Sequence, residues 1–206
     1  MMRVARKIRF KDSVDLRLVR HFSQRTGSNE KDSDLSRKVQ RPIFVAATKQ
    51  HVGKTSVSLS LLSGLKKRFE KVGFIKPVGQ QHVPVYSSAQ DEEIRVDKDV
   101  CLMRERFELD HIDYGDMSPV IIPRGYTKKY INGEIDHQDQ LNAIKKSFQN
   151  VSDASDIVLC EGTGHCAVGS IVGVNNSQVA SMIGADMILV RLCPASSLNL
   201  NFVWNP

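Results

Sequence analysis

None of the four cysteines, Cys101, Cys160, Cys166 and Cys193, stands in a C-x-x-C pair. A zinc ribbon or a thioredoxin-like centre needs that spacing, so neither is expected. No secretory signal precedes the cysteines, and reduced thiols rather than a disulfide framework are the expectation. No uninterrupted apolar run approaches the roughly 18 residues needed to cross a bilayer, so no membrane partner is expected. Internal repeats and low-complexity blocks are also missing. So is a basic excess in the body of the chain. The formal net charge is +6, but residues 1–26 hold eight Lys/Arg against only Asp12 and Asp15. The rest carries 21 residues of each sign and has no surplus to draw a nucleic acid.

What is present begins with that basic stretch. MMRVARKIRFKDSVDLRLVRHFSQ is Arg-rich with scattered apolar residues, and it is similar to a mitochondrial presequence with processing around Arg20-His21-Phe22-Ser23. The two aspartates count against import, and the plain alternative is a basic tail on a cytoplasmic protein. Residues 24–40 are polar and charged and read as a flexible leader. The chain therefore divides into a basic leader (1–40), a globular domain (41–190) and a tail (191–206). A length of 206 residues suffices for one α/β domain with a real core and hardly for two.

Residues 43–47, IFVAA, are apolar on both faces, as in a buried parallel strand. A helix is predicted from Lys54 to Phe69. Val57, Leu61, Leu65 and Phe69, with Leu62 beside them, would form its buried stripe, and Lys66, Lys67 and Arg68 would sit in its last turn. Further strands are predicted at 72–76, 119–122, 156–160 and 186–190. Further helices are predicted around 99–107, from Leu141 through Ile144 and Phe148 to Asn150, and from Ser177 to Gly184. Strands alternating with helices imply a mainly parallel sheet covered by helices.

Between the first strand and the first helix lies Thr48-Lys49-Gln50-His51-Val52-Gly53-Lys54-Thr55-Ser56. It matches the phosphate-loop pattern G-x-x-x-x-G-K-S/T except that Thr48 replaces the first glycine. Gly53 lets the backbone approach a phosphate without a Cβ. The amides that open the helix carry positive potential. Lys54 reaches terminal phosphates, and the Thr55 hydroxyl suits Mg²⁺, which prefers oxygen ligands. The bland alternative is a glycine turn before an ordinary helix. A carboxylate for the metal is available in Glu161, which ends an apolar strand ahead of Gly162-Thr163-Gly164. Those two glycines read as room for a ligand. Thr48, Lys76 and Glu161 all fall at carboxyl ends of strands, where parallel sheets bind ligands. His165 and Cys166 are not taken as a nucleophile pair, because neighbouring side chains rarely face one atom.

Four pieces recur in order: Thr48 through Thr55, Phe74-Ile75-Lys76-Pro77-Val78-Gly79, Asp97-Lys98-Asp99, and Glu161-Gly162-Thr163-Gly164. Together they resemble the dethiobiotin synthetase superfamily of P-loop proteins, which includes the cobyrinic acid amidases and the N-terminal domain of long phosphate acetyltransferases. The resemblance implies a P-loop NTPase-type three-layer α/β fold. It implies ATP and Mg²⁺ as cofactors, with residues 48–56 binding the nucleotide and Thr55, Asp99 and Glu161 holding the metal. Asp97 is an equal chemical candidate beside Asp99. Lys54 and Lys76 would be the catalytic lysines, and Lys49 stands where the deviant Walker A subgroup places a second lysine. Residues 117–127, including Arg124, resemble the phosphate acetyltransferase branch.

Two functions follow from the resemblance. One is an ATP-dependent ligase that activates a small carboxylate or the carbamate of an amine. The other is a non-catalytic nucleotide-sensing domain. A homodimer is implied because dethiobiotin synthetases pair. The tail at 191–206 has no helix period and does not resemble the superfamily. It predicts that the last strands are missing, that an edge strand and a helix face are uncovered, and that the base-binding wall is absent.

Overall fold

A computed structural model describes residues 40–164, 166–192 and 198–203. The leader up to residue 39, His165, Cys193 and the tail at 193–197 and 204–206 lie outside the described residues. In chain order the first half contains β1 (Ile43–Ala47), α1 (Lys54–Leu65), β2 (Val72–Ile75), β3 (Val78–Gly79), β4 (His82–Ser87), β5 (Glu92–Asp97) and α2 (Lys98–Phe107). The second half contains α3 (Tyr114–Met117), β6 (Val120–Ile121), α4 (Tyr126–Ile131), α5 (His137–Asp153), β7 (Ile157–Glu161), α6 (Cys166–Ile171), α7 (Asn176–Met182), β8 (Asp186–Leu192) and β9 (Leu198–Val203).

The central sheet has the order β2-β7-β1-β8-β9. Its first four strands are parallel, with Phe44 opposite Cys160 on one side of β1 and Met187 on the other. β2 and β7 are buried at every position and β1 at all but its first, as expected for strands covered on both faces. Phe44, Val45, Phe74, Leu159 and Val190 form the middle of the core, together with Leu62 and Leu65 of α1 and Ile144 and Val151 of α5. This mainly parallel α/β sheet is the P-loop NTPase-type arrangement. No described helix is long and apolar enough to cross a membrane.

Several local expectations are corrected. α1 stops at Leu65, so Lys66, Lys67 and Arg68 follow the helix instead of forming its last turn. Its buried face is Lys54, Ser58, Leu62 and Leu65, while Val57, Leu61 and Phe69 are only partly buried. The helix thus turns its N-terminal lysine, not an apolar residue, toward the sheet. α5 runs on to Asp153, past Asn150. The strand expected at 119–122 shrinks to Val120–Ile121 and pairs with β3, outside the central sheet. Pro119 and Pro123 flank it and have no N–H for a longer ladder. The hairpin of β4 and β5 was not anticipated.

The largest correction concerns the tail. β9 lies antiparallel on β8, from Met187 opposite Val203 to Leu192 opposite Leu198. The edge of β8 that was expected to be bare is therefore paired, which removes the exposed ladder of N–H and C=O groups along that strand.

Candidate functional site

β1, β2 and β7 end side by side, and three loops leave them toward a common cleft of about 410 Å³. The loop after β1 supplies Lys49, Gln50, His51 and Gly53, and α1 opens with Lys54, Thr55 and Ser56 on the same wall. The segment after β2 brings Lys76, Val78, Gln80 and Gln81. The start of α2 brings Asp97, Lys98 and Asp99, and the loop after β7 brings Thr163 and Gly164.

The phosphate loop is shaped by two left-handed residues, His51 at φ 58° and Gly53 at φ 87°. Gly53 adopts that conformation freely, whereas His51 is one of three non-glycine residues with positive φ among the described residues. Gly53 is the N-cap of α1 and no side chain caps the helix. The first amides of α1 therefore lack the usual Ser, Thr or Asp partner and face the cleft wall, an arrangement suited to an anion. Thr48 and Val52 have other duties. The Thr48 amide donates to the Val190 carbonyl at 3.1 Å, which extends the pairing of β1 with β8. Val52 is buried in the core. Neither side chain lines the cleft.

Behind the cleft lining, three donors converge on one oxygen of the fully buried Glu161. The Lys54 ammonium donates to Glu161 Oε1 at 3.1 Å, and the Thr55 hydroxyl lies 3.4 Å from the same atom. The Lys76 ammonium is 3.6 Å from it. The other Glu161 oxygen, Oε2, is buried without a hydrogen-bond partner. Lys54 lines the cleft, and its largely buried head group is neutralised by Glu161.

Lys76 is enclosed by three carboxylates. Besides Glu161, its ammonium pairs with Asp97 Oδ1 at 3.0 Å and donates to Asp99 Oδ2. Burial alone would lower the Lys76 pKa, but Glu161, Asp97 and Asp99 outweigh it and hold the ammonium above its usual value. For Asp99, burial pushes the carboxyl up and the Lys76 charge pulls it down more strongly, so it ends below the ordinary range.

Asp97 and Asp99 both line the cleft and both pair with Lys76, but their local bonds differ. Asp97 is N-cap of α2 and accepts from the Asp99 amide at 3.0 Å. It also accepts from the Gln80 and Gln81 amides, at 2.9 and 3.3 Å. Its own amide donates to Ser118 Oγ at 3.0 Å. With this many local bonds Asp97 is a structural bracket. Asp99 faces the cleft but is engaged by Lys76, and no direct contact joins it to Thr55 or Glu161. Arg124 is exposed and does not line the cleft.

The two glycines after Glu161 differ from expectation. A Cβ on Gly162 would lie 2.5 Å from Asn176 Oδ1 and 2.7 Å from Phe44 Cε1, so this glycine makes room for packing, not for a ligand. Gly164 lies against Gln50 of the phosphate loop, with a Cβ position 3.1 Å from Gln50 Cγ. Asn176 itself was missed by sequence reasoning, although it binds the Thr163 backbone on both sides.

Residues 41–199 match the AAA domain family (AAA_26). The chain is also similar to curated phosphate acetyltransferases. That of Nitrosomonas europaea is 33% identical over 150 residues, covering 71% of this chain and 19% of that protein. Those of Deinococcus radiodurans and Nitratidesulfovibrio vulgaris are 27% and 28% identical, covering 73% and 72% of this chain and 19% of each protein. The chain thus spans about a fifth of the length of the curated relatives it matches.

Proposed function

The chain belongs to this AAA domain family, the P-loop group related to dethiobiotin synthetase and to the N-terminal domain of phosphate acetyltransferases, and from that premise we propose that its nucleotide-binding domain takes Mg-ATP. The observation that carries the reading is the convergence of Lys54, Thr55 and Lys76 on Glu161 Oε1, with Oε2 left over. A buried carboxylate oxygen with no donor is poorly placed alone and well placed beside a cation. Among the described residues no three His, Cys, Asp or Glu side chains gather closely enough to form a metal centre by themselves. Mg²⁺ commonly takes one or two carboxylates and completes its shell with phosphate and water, so this donor set fits it.

In this reading Thr55 and Glu161 would hold the Mg²⁺, and Asp99 would reach it only after releasing Lys76. The metal, when bound, supplies charge to neutralise the phosphate oxygens. Lys54 moves from Glu161 to the terminal phosphates, and the amides of residues 49–56 cradle the chain of phosphates. Lys49 and Lys98 also line the cleft, so with Lys54 and Lys76 four formal positive charges face the three negative charges of Asp97, Asp99 and Glu161. That excess suits a polyphosphate, and the carboxylates suit a cation that accompanies it.

Two roles remain for the bound nucleotide. In a ligase, Lys54 and Lys76 would neutralise charge as a phosphoryl group passes to a small carboxylate or to the carbamate of an amine. In a sensing domain, binding alone would be the output. Calorimetric titration with ATP, with and without Mg²⁺, tests the binding reading. Saturable binding that tightens by about tenfold or more with Mg²⁺ is expected, and no heat under either condition would refute it. We further propose the basic leader as a mitochondrial import signal. A reporter fused to residues 1–26 should enter mitochondria, and a diffuse cytosolic signal would remove this proposal.

A further inference from the structure

We propose that Asn176 is a positioning residue for the carboxylate loop: acting through Thr163, it fixes where Glu161 presents its free oxygen. The proposal rests on the Mg-ATP reading of the cleft.

α7 does not need Asn176 as its cap. Asn175 already fills that role, accepting from the Gln178 amide at 2.8 Å. The next side chain is buried and turns to the loop after β7. Asn176 Oδ1 accepts from the Thr163 amide at 2.9 Å and from the Thr163 hydroxyl at 3.2 Å, while its Nδ2 donates to the Thr163 carbonyl at 3.3 Å. A carboxamide offers donor and acceptor in one plane, so it brackets a single residue much as a neighbouring strand would. β7 ends at Glu161, and Asn176 continues its pairing two residues further on.

The other side of the loop is held by β1, where the Gly162 amide donates to the Val45 carbonyl at 2.9 Å. Gly162 is thus pinned between β1 and Asn176, with no room for a Cβ beside Asn176 Oδ1 and Phe44. Glu161 precedes this pin and Thr163 follows it, on the cleft wall. If the bracket opens, the loop loses its hold on the α7 side. Glu161 Oε2 then loses its fixed direction and Oε1 loosens its hold on the Lys54 head, while the helix amides of α1 are untouched. The defect is therefore expected in metal-assisted binding, not in contacts to bare phosphate. Residues that orient a metal ligand from behind are typically worth about 10- to 100-fold in metal affinity.

The test combines amide hydrogen exchange in the free protein with calorimetric titration of ATP in the presence and absence of Mg²⁺. In Asn176→Ala, exchange at the Thr163 amide should rise by about tenfold or more, because its acceptor is gone. Affinity for ATP with Mg²⁺ should fall on the order of tenfold, and affinity without Mg²⁺ should change by less than about twofold. Asn176→Asp keeps the acceptor for the Thr163 amide but turns the donor into a charged oxygen facing the Thr163 carbonyl, so it should restore slow exchange at the Thr163 amide without restoring the whole bracket. It also serves if the alanine variant folds poorly. Equal losses with and without Mg²⁺, or unchanged exchange at Thr163, would make Asn176 an ordinary packing residue and overturn the proposal. A native chain that takes up no ATP while Thr163 exchange responds to Asn176→Ala would instead refute the nucleotide reading, and the proposal with it.

Discussion

Two carboxylates are buried on either side of β1, and they behave differently. Glu161 ends β7 at the carboxyl edge of the sheet, and Asp186 begins β8 at the amino edge. Their side chains are 0% and 1% exposed, so burial does not distinguish them. Glu161 has Lys54, Thr55 and Lys76 on one oxygen. Asp186 has neither oxygen hydrogen-bonded, and Arg41, itself about half exposed, approaches only to 3.4 Å. The difference comes from the ends of parallel strands. At the carboxyl edge the loops and the start of α1 bring three donors to Glu161, whereas at the amino edge Asp186 meets Arg41 of the chain entering β1. A buried acid becomes a candidate site when donors converge on it, and burial alone leaves it a local cost.

The largest effect should follow Lys54→Ala. The charged hydrogen bonds that Lys54 makes to phosphate are worth about 2–3 kcal/mol, so Mg-ATP affinity should fall on the order of 100-fold by calorimetry. Melting should stay cooperative, because Lys76 and Thr55 remain beside Glu161. Undiminished affinity would remove the distinction between the two carboxylates, since Glu161 would then be another buried acid with incidental partners.

Glu161→Gln sharpens the same comparison. It preserves the shape of the side chain and removes the charge that a Mg²⁺ would use. The gain in ATP affinity on adding Mg²⁺ should shrink to about onefold, from a native value expected to be about tenfold or more. If the glutamine variant kept the full Mg²⁺ effect, Asp99 would be the better metal carboxylate, released from Lys76 on binding.

How much of this was legible depends on how local each signal was. The phosphate loop was readable because strand, Gly53-Lys54-Thr55 and helix lie within about two dozen consecutive residues. Glu161 was readable because it terminates a wholly apolar strand. The hairpin of β4 and β5 was not, because Pro84 interrupts one strand and Glu92, Glu93 and Arg95 crowd the other. Only the pairing of His82 opposite Asp97 makes them strands. That hairpin delivers Asp97 and Asp99 to Lys76, so the resemblance singled out the two aspartates while their pairing with Lys76 was not visible in the local pattern. β9 was missed for a related reason, since its six residues acquire a ladder only from β8. Asn176 reads as one more polar residue at a helix start. Its meaning lies in Thr163, 13 residues away. Gly162 misled in the opposite direction, because a glycine beside a carboxylate looks like space for a ligand until Phe44 and Asn176 are seen to occupy it.

Acid separates Asp99, in the cleft, from Asp186. Lys76 holds Asp99 below the ordinary carboxylate value against the opposing effect of burial. Its stabilising contribution is therefore present above the unfolded value of 3.8 and is lost as pH falls through the lower folded value. Thermal melts of Asp99→Asn should accordingly show a deficit at pH 7 that narrows as the medium is acidified below 3.8. A deficit independent of pH would mean that the Lys76 pairing contributes nothing through charge.

The smallest effect, and the sharpest on the comparison itself, belongs to Asp186→Asn. Burial pushes the Asp186 carboxyl up, and the pull of Arg41 is too weak to reverse it. The folded protein therefore holds this proton more tightly than the unfolded chain does. Asp186 subtracts from stability above the unfolded value of 3.8, and the penalty vanishes once pH falls below it. Asparagine keeps the shape and removes the charge. At pH 7 the variant should gain on the order of 1 kcal/mol, seen as a melting temperature higher by about 2–4 °C. At pH 3.5 the two proteins should melt together. ATP affinity, with or without Mg²⁺, should stay within about twofold of native, because the charge removed lies at the end of the sheet remote from Lys54 and Thr55. A variant that melts lower at pH 7 would show that Arg41 and Asp186 form a net-stabilising clasp at the entry to β1. A variant that loses Mg-ATP affinity would tie both edges of the sheet to one function, and the contrast between Glu161 and Asp186 would fail.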